Sequence, residues 1–338
     1  MSPFWSKPAH ADRRQGLLSR GRIKKAIRER LEAQGFVEVE CGILAASPGN
    51  EAHLAAFKTV WEEGGRMHPL YLHTSPEFAA KKLLAAGERR IFEFARVFRN
   101  RERGALHAPE FTMLEWYRAN ENYEAVIADA LEFLRIAAET TGLRIFSYRD
   151  VACDPRAEAE RITVAQAFRK FADTDLFSTL NEKGEGNRDA LAALSPIEVA
   201  ANDNWADIFS KILVARIEPQ LGRGRPTILY EYPRCEAALA RATAHDARVA
   251  ERFELYVCGV ELANGFGELT DAAEQRRRFV AEMDEKERIY GERYPLDEDF
   301  LEALTLMPPA SGVALGFDRL AMLATGARNV NDVIWTPL

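Results

Sequence analysis

Hydrophobic residues recur at helical spacing near the beginning of the chain. Between residues 20 and 40, Ile23, Ile27 and Leu31 fall on one side of a helix whose other side is rich in arginine and lysine. Gly35 follows the last of these positions, and a glycine after such a pattern commonly ends a helix. The next letters, FVEVE, alternate apolar and acidic residues, which predicts a short strand.

A second helix and a second strand are predicted between residues 74 and 98. Ser75 precedes Pro76 and Glu77, and this order is typical of a helix start because serine caps a helix and proline fits its first turn. The apolar positions that follow predict a helix and then a strand over residues 91–98.

The segment EFTMLEWY, residues 110–117, has the alternation of another strand. Because successive strand side chains point to opposite faces, one face would carry a ring, a carboxylate and a phenol together. The residues of that face are Phe111, Met113, Glu115 and Tyr117. Residues 94–117 are therefore predicted as a strand, a long loop and a second strand.

The rest of the chain mixes helices and strands. A helix closed by Gly142 is followed by a helical stretch around residues 163–221, which the polar letters NEKGEGNRD interrupt. The segments TILYEYP, RFELYVCGVELANGFGEL and SGVALG are strand-like, and the last runs into the helical FDRLAMLATG. Short connections imply antiparallel hairpins, so we predict an α+β fold in which helices flank an antiparallel sheet, rather than a doubly wound parallel sheet.

Composition narrows the class of protein. With 338 residues, 47% of them hydrophobic, the chain can bury a sizeable core. It shows neither the apolar region of a signal peptide nor a run of about 20 apolar residues, so we expect a cytoplasmic enzyme or binding protein with no membrane contact. Its four cysteines and six histidines are scattered, which argues against a disulfide framework or a zinc site. The net charge of −7 disfavours a broad nucleic-acid surface but leaves room for a local basic pocket.

The loop between the two strands concentrates positive charge. Arg99 is predicted to end the first strand, and the loop after it holds Arg101, Arg103 and His107, just before Phe111. On composition alone, solvated surface arginines are the more common interpretation. The alternative is a polyphosphate site, because guanidinium groups fork onto phosphate oxygens and Phe111 could stack on a base.

A predicted hairpin carries paired carboxylates. If Cys258 and Gly259 form its two-residue turn, Tyr256 pairs with Glu261, and Glu254 shares their face. Two carboxylates on one face suit Mg²⁺, which takes one or two carboxylates plus substrate phosphates. The alternative, and the more common case for a hairpin considered alone, is a solvent-facing acidic edge. Beyond the hairpin, the segment NGFGE adds an amide, a ring and a carboxylate, Asn264, Phe266 and Glu268, on a predicted glycine-loosened turn.

The third constellation is the strand-to-helix junction SGVALGFDRL. Gly312 and Gly316 permit close backbone approach, and Arg319 falls in the first turn of the helix, where phosphate binding is favoured. Taken alone, this junction is weak evidence for a phosphate site, because a glycine before a helix commonly marks only a turn. Together, the three constellations read as parts of one ATP site.

These segments resemble motifs 2 and 3 of class II aminoacyl-tRNA synthetases, and HAPEFTMLEWY and ELANGFGEL are similar to the lysine-specific branch. AIRERLEAQGFVEVE resembles motif 1, the dimer-forming helix and strand, so the resemblance implies a homodimer. Motif 1 begins near residue 20. We therefore expect a single class II catalytic domain over residues 1–338, with a helical insertion around 163–221 and no anticodon-binding OB domain before it. Truncated lysyl-tRNA synthetase paralogues of this build attach β-lysine or lysine to a lysine side chain of elongation factor P, and the resemblance implies that activity.

The resemblance also implies roles for individual residues. Arg99 would bind the α-phosphate of ATP and stabilise the transition state, and Arg319 would bind the γ-phosphate. The implied ATP contacts are Arg99, Asn100, Glu102, His107, Phe111, Glu261, Leu262, Gly316 and Arg319. The implied Mg²⁺ ligands are Glu254 and Glu261. The implied amino-acid pocket consists of Ser75, Pro76, Glu77, Glu115, Tyr117, Asn264, Phe266, Glu268 and Ala314.

Some positions differ from the family pattern. Arg101 stands where motif 2 usually has the glutamate that reads the adenine amine, with Glu102 beside it as a substitute, and Ala108 stands for an asparagine. Gly42 replaces the usual motif 1 proline. Ala314 occupies a position where lysyl-tRNA synthetases carry glycine and the elongation factor P ligases carry alanine, which favours the ligase.

Three hypotheses follow. The leading one is a two-step ligase that activates lysine or β-lysine with ATP and transfers it to elongation factor P. Arg101 and Ala108 motivate the second, a paralogue that binds a ligand or a partner protein without catalysis. The third is a minimal tRNA-charging enzyme, which the absent OB domain and the acidic charge balance disfavour.

Overall fold

A computed structural model describes residues 3–338 of the chain. Its α-helices are α1 Lys7–Ala33, α2 Glu77–Ala85, α3 Tyr123–Thr141, α4 Val164–Ala172, α5 Arg188–Leu194, α6 Trp205–Ile212, α7 Ala272–Tyr290, α8 Glu298–Leu304 and α9 Phe317–Thr325. Its strands are β1 Val37–Glu38, β2 Leu44–Ala45, β3 Phe57–Glu63, β4 Arg66–Leu72, β5 Arg90–Phe98, β6 Glu110–Ala119, β7 Phe146–Tyr148, β8 Val151–Cys153, β9 Glu160–Thr163, β10 Thr227–Pro233, β11 Val249–Val257, β12 Val260–Gly267 and β13 Ala310–Gly316.

The chain divides into two units. The first contains the residues up to Asn122 together with Leu269–Leu338, and the second is Tyr123–Glu268. In the first unit, strands lie in the order β1, β5, β6, β13. The β5–β6 and β6–β13 pairs are antiparallel and the β1–β5 pair is parallel. A separate antiparallel sheet in the order β2, β4, β3 belongs to the same unit.

Helix α1 buries the face that its apolar spacing predicts. Ile23, Ile27 and Leu31 are fully buried, and α1 packs against α9. After the helix, Gly35 adopts φ +78°, a left-handed conformation that glycine enters without steric cost. The predicted helix end and the short strand β1 after it are confirmed.

The strands β5 and β6 confirm the predicted strand, loop and strand over residues 94–117. Their register places Val97 opposite Phe111 and Glu93 opposite Glu115. On the other side of β6, Ala314 of β13 lies opposite Glu115. The alternation of β6 therefore puts its ring, carboxylate and phenol on one face of the sheet.

The second unit combines strands in the order β12, β11, β10, β9 with the helices α3–α6. Its core includes stacked rings, since Phe209 lies 5.0 Å from Phe168 and 5.2 Å from Trp205, measured between ring centroids. Thr163 starts α4 with a capping box, in which its side chain accepts from the backbone of Gln166. Residues 163–221 are largely helical, as predicted, with a polar loop before α5.

Next to its turn, the β11–β12 hairpin has the predicted register, and the register then shifts between Leu255 and Tyr256. Cys258 and Gly259 form its turn with φ +56° and +71°, and Val257 pairs with Val260 and Tyr256 with Glu261. Two left-handed residues are the signature of a two-residue hairpin turn that follows the natural twist of the strands. The prediction of an α+β fold with mostly antiparallel strands is confirmed.

The sequence patterns did not reveal the β3–β4 hairpin or the helices α7 and α8. The buried residues of α7 are Gln275, Phe279, Met283 and Lys286, so two of its four inward positions are polar and the apolar spacing is too weak to read. Within residues 3–338, none of the helices combines the length and the apolar character needed to span a membrane.

Candidate active site

Arg99 of the first unit lies directly after β5, between an aromatic ring and a backbone carbonyl. Its guanidinium stands 5.5 Å from the centroid of the Phe111 ring, and its Nε donates to the carbonyl oxygen of Thr74 at 3.4 Å. Thr74 immediately precedes Ser75. Arg99 therefore joins the ring predicted to stack on adenine to the segment predicted to hold the amino acid.

Arg319, in the first turn of α9, reaches the same loop. Its Nη2 lies 2.8 Å from Nε2 of His107, and its Nε donates to the carbonyl oxygen of Leu106 at 3.1 Å. Partial desolvation lowers the pKa of the His107 imidazole, and the positive charges of Arg319 and then Arg99 lower it further, while Glu102 raises it. The structure thus brings two arginines and a histidine to one loop, as the polyphosphate hypothesis requires.

The neighbouring loop residues have separate contacts. Asn100 donates through its backbone to Ala55 at 2.7 Å and accepts from the Arg101 amide at 2.9 Å. Arg101 has φ +66° and pairs with Glu292 at 2.9 Å, over the ring of Tyr290. Arg101, which departs from the family pattern, therefore forms an ion pair with the segment that follows α7.

Glu115 is the centre of a buried polar cluster in the first unit. Its Oε2 accepts from the Ser75 hydroxyl at 2.7 Å, and its Oε1 accepts from the Tyr117 hydroxyl at 2.5 Å. Ser75 also accepts from the amide of Glu77, the first residue of α2, at 3.1 Å. The predicted pocket residues Ser75, Glu77, Glu115 and Tyr117 therefore meet, and the buried Pro76 lies within the same segment.

The electrostatics of this cluster are unusual. Burial and, next, the Glu77 carboxylate raise the pKa of Glu115 to about 8, against the hydrogen bonds from Tyr117 and Ser75 and the charge of Lys81. Lys81, 1% exposed, donates to Glu77 at 2.5 Å. A carboxyl group whose pKa lies so near neutral pH would lose its proton readily once a ligand ammonium entered.

Two residues of the β13–α9 junction border this region. Ala314 is partly buried and lies opposite Glu115. Gly316 precedes α9, and a Cβ there would lie 3.4 Å from the Arg319 side chain, so the two residues are close neighbours. Both observations are consistent with the roles that the sequence predicts, which stay predictions.

In the second unit, Glu254 is buried and accepts two hydrogen bonds. Its Oε1 accepts from Arg252 at 2.7 Å and its Oε2 accepts from the Tyr256 hydroxyl at 2.7 Å. The hairpin register puts Glu261 opposite Tyr256, on the predicted face. The sequence patterns did not single out Arg252, although its spacing of two residues from Glu254 on a strand places it on the same face.

The chemistry of this donor set fits Mg²⁺. Within the described part of the chain, no group of three or more His, Cys, Asp and Glu side chains is arranged to hold a metal ion. Magnesium does not need one, because it keeps waters and takes substrate phosphates alongside one or two carboxylates. Each oxygen of Glu254 accepts one hydrogen bond and so retains a lone pair for a cation.

The remaining predicted residues lie in β12, except Glu268, which directly follows it; the strand continues through the segment predicted as a glycine-loosened turn. Asn264 pairs with Glu254 in the register, and its buried Oδ1 accepts no hydrogen bond from any residue in the range 3–338. A buried acceptor of this kind is costly unless a ligand satisfies it. Phe266 packs against Ala240 and Ala250, while Leu262 and Glu268 are buried. The functional roles of all four stay predictions.

Two further features were not predicted. Arg20 of α1 and Asp318 of α9 form a buried ion pair beside Arg319, and Lys81 lies within the Glu77–Glu115 cluster. Lys81 could have been found from its spacing, since four residues separate it from Glu77 on a helix. Arg20 and Asp318 are 298 positions apart, and no local pattern connects them.

Comparison with known proteins agrees with this geometry. Residues 7–338 match the family described as tRNA synthetases class II (D, K and N). Among curated relatives, the elongation factor P--(R)-beta-lysine ligase of Avibacterium paragallinarum is 38% identical, over 95% of this chain and 94% of its own length. The proteins of the same name from Proteus mirabilis and Haemophilus influenzae strain PittGG are each 39% identical, with the same coverage.

Proposed function

Because the chain belongs to the class II tRNA synthetase family of the D, K and N type, we propose that it is an ATP-dependent ligase that attaches (R)-β-lysine, or lysine, to elongation factor P. The names of its relatives support the substrate and the acceptor protein. One observation carries the proposal furthest: Arg99 contacts both the Phe111 ring and the carbonyl of Thr74, beside the buried acidic cluster. A cation there stands between a base-stacking ring and an ammonium-binding pocket.

The first step of the proposed reaction forms an aminoacyl-adenylate. A carboxylate oxygen of the amino acid attacks the α-phosphorus of ATP, the bond to the bridging oxygen breaks, and pyrophosphate leaves. Arg99 stabilises the charge that develops on the α-phosphate, and Arg319 with His107 holds the outer phosphates. Phe111 stacks on adenine, and Asn100, Glu102, Leu262 and Gly316 complete the proposed nucleotide contacts.

Recognition of the amino acid is assigned to buried acidic and polar groups. A lysine isomer brings two ammonium groups, and each must meet a carboxylate or another acceptor when it leaves water. In the first unit Glu77 and Glu115 supply carboxylates, and Ser75 and Tyr117 orient Glu115. In the second unit we assign the same kind of contact to Asn264 and Glu268, with Phe266 against the aliphatic stem.

Mg²⁺ is proposed to bind Glu254 and Glu261, where it would supply positive charge that offsets the phosphates of ATP. Arg252 and Tyr256 orient the Glu254 carboxylate through the hydrogen bonds that they donate. A ligand fixed by neighbouring donors keeps its lone pairs aimed in one direction.

The second step transfers the activated acyl group. The ε-amine of an acceptor lysine attacks the carbonyl carbon, AMP leaves with the electron pair of the broken bond, and the new amide nitrogen loses a proton. The attacking amine must be unprotonated, because an ammonium nitrogen has no lone pair to form the new bond.

We also propose that the chain acts as a homodimer in the cytoplasm. Exposed apolar residues in and after β1 support the dimer: Val37, Ile43 and Leu44 are 52%, 40% and 58% exposed. Apolar side chains clustered at a surface commonly mark a protein interface. Light scattering coupled to gel filtration measures the mass of the particle in solution directly. A monomer at micromolar protein concentration would contradict the proposed homodimer.

ATP–pyrophosphate exchange tests the proposed activity. We expect exchange with (R)-β-lysine, weaker exchange with α-lysine, and a mass increase of elongation factor P when the two are combined. Absence of exchange with every lysine isomer would favour a paralogue without catalysis. Exchange with α-lysine and acylation of tRNA, without modification of elongation factor P, would instead indicate a tRNA-charging enzyme.

A further inference from the structure

Lys81 is a buried lysine inside the acidic cluster of the first unit. Helix α2 places it one turn after Glu77, and its Nζ donates to Glu77 Oε1 at 2.5 Å. The Lys81 side chain is 1% exposed, against 19% for Glu77. An ammonium group is costly to bury unless it is paired, so this lysine depends on the carboxylates around it.

Several segments contribute the groups that face Glu115. They are Ser75 before α2, Glu77 and Lys81 in α2, Tyr117 in β6, Glu93 opposite Glu115 in β5, and Cys41, whose amide donates to Glu93 at 3.1 Å. Burial also raises the pKa of Glu93 and of the Cys41 thiol. Lys81 is the cation of this set, among two further carboxylates and two hydroxyls.

The charges of Glu77 and Lys81 act on Glu115 in opposite directions. Glu77 raises the pKa of Glu115 and Lys81 lowers it, after the larger effect of burial. Two carboxylates buried side by side repel each other, and the usual result is that one of them becomes protonated. A protonated Glu115 would have no charge to offer a substrate ammonium.

Resting on the proposed function, we propose that Lys81 is a positioning residue of the amino-acid pocket: its ammonium pairs with Glu77 and offsets the repulsion between Glu77 and Glu115, so that Glu115 can ionise when a substrate ammonium enters. Lys81 contacts the substrate only through these carboxylates. It therefore governs the affinity for the amino acid and its dependence on pH, rather than the chemical step.

The test compares Lys81→Met with Lys82→Met. Methionine keeps the length and removes the charge, and Lys82 is a matched control because it is the next residue of α2 and pairs with Asp297 at 2.9 Å and Asp299 at 2.6 Å. In pyrophosphate exchange, kcat/KM for the amino acid should reach its plateau about one pH unit higher, or more, in Lys81→Met. Near pH 7 this shift is a loss of roughly tenfold, because one pKa unit is a factor of ten.

Recovery at alkaline pH separates this role from a structural one. The kcat/KM of Lys81→Met should return toward the parent value only above about pH 9, where Glu115 ionises even without the charge of Lys81. The KM for ATP and the saturated kcat should stay close to the parent values. A loss by the same factor at every pH, or a pH profile that matches Lys82→Met, would overturn the proposal.

A measurement without substrate keeps this inference separate from the proposed function. Carbon-13 NMR of labelled glutamate carboxyls, with Glu115 assigned from Glu115→Gln, should show Glu115 titrating at higher pH in Lys81→Met than in the parent. If the resonance shifts but no lysine isomer supports exchange in the parent, the role of Lys81 stands and the proposed function fails. If exchange occurs and the titration is unmoved, only the inference about Lys81 fails.

A second variant covers the case in which Lys81→Met does not fold. Glu77→Gln combined with Lys81→Met removes both charges and leaves no buried ammonium unpaired. Because Glu77 is the stronger of the two influences on Glu115, the Glu115 carboxyl should titrate at lower pH than in the parent. A titration at the parent pH or above it would overturn the proposed balance of charges.

Discussion

Arg319 Nη2 donates to His107 Nε2 at 2.8 Å. A guanidinium has no lone pair to offer, so the imidazole is the acceptor and carries its proton on Nδ1. Protonation of His107 would turn the acceptor nitrogen into a donor and break this contact. The contact between Arg319 and the His107 ring therefore depends on a neutral histidine, whereas the hydrogen bond from Arg319 to the Leu106 carbonyl does not.

This relationship predicts how ATP binding depends on pH. The pKa of His107 lies below its usual 6.5, because of desolvation and then the charge of Arg319, so the neutral ring persists below pH 6.5. We expect the KM for ATP to rise only as the pH falls through that lowered value. His107→Gln keeps an acceptor that does not titrate, and its KM should stay flat over the same range. Parallel profiles for the two proteins would contradict the assignment.

Arg99→Ala should abolish pyrophosphate exchange while the fold survives. Loss of a cation aimed at the transition state costs about 3 kcal/mol or more, which is roughly a hundredfold or greater loss in rate. Arg101→Ala is the matched control, because Arg101 pairs with Glu292 outside this contact. Its exchange rate should change by only a few fold. If Arg99→Ala and Arg101→Ala both fold and lose exchange rate by the same factor, Arg99 does not have a distinct role in stabilising the transition state.

Glu261→Gln should raise the concentration of Mg²⁺ needed for half-maximal exchange. The substitution keeps the size of the side chain but removes one of the two ligand charges. Isothermal titration with Mg²⁺ and a non-hydrolysable ATP analogue measures the binding itself. If the Mg²⁺ affinity equals that of the parent, Glu261 is not a ligand.

The buried pair of Arg20 with Asp318 predicts a stability effect. Arg20 Nη2 lies 2.8 Å from Asp318 Oδ1, with side-chain exposures of 11% and 3%, and Asp318 Oδ2 accepts from the Thr112 amide. Asp318→Asn leaves the arginine charge buried and uncompensated, which costs about 3–5 kcal/mol in the free energy of unfolding. Urea denaturation followed by circular dichroism measures this difference.

A control for that effect is the exposed pair of Lys25 with Glu29, whose side chains are 74% and 62% exposed. Glu29→Gln should change the free energy of unfolding by at most about 0.5 kcal/mol, because exposed helix pairs contribute little. A similar loss in both variants would mean that burial does not set the strength of the Arg20–Asp318 pair.

Sequence patterns predicted the parts of the site that local geometry determines. Strand alternation put Glu115 and Tyr117 on one face, and the structure joins them by a hydrogen bond. The two-residue turn at Cys258 and Gly259 likewise predicted the pairs next to it, because turn length determines which residues pair, but it did not predict the register shift between Leu255 and Tyr256.

Contacts that depend on the packing of distant segments could not be predicted. Arg101 and Glu292 are 191 positions apart, and no periodicity links them. The burial of Lys81 is equally invisible, since a lysine four residues after a glutamate is usually a solvated helix pair. Only the packing of α2 over β6 makes that lysine part of the pocket.

Ala314→Gly is expected to change which lysine isomer is used. Ala314 lies opposite Glu115 in the β6–β13 register and is partly buried, so its methyl group borders the carboxylate assigned to a substrate ammonium. Isomers that differ in the position of one amino group can be sorted by such a methyl, because one methylene of fit is worth about 1 to 3 kcal/mol, or roughly 10 to 200-fold. Removing it should raise kcat/KM for α-lysine relative to β-lysine in pyrophosphate exchange. If the methyl only packs against its neighbours Ala95, Val97 and Met113, the melting temperature falls through backbone entropy and a small void while the ratio stays unaltered, and that outcome would remove Ala314 from the pocket.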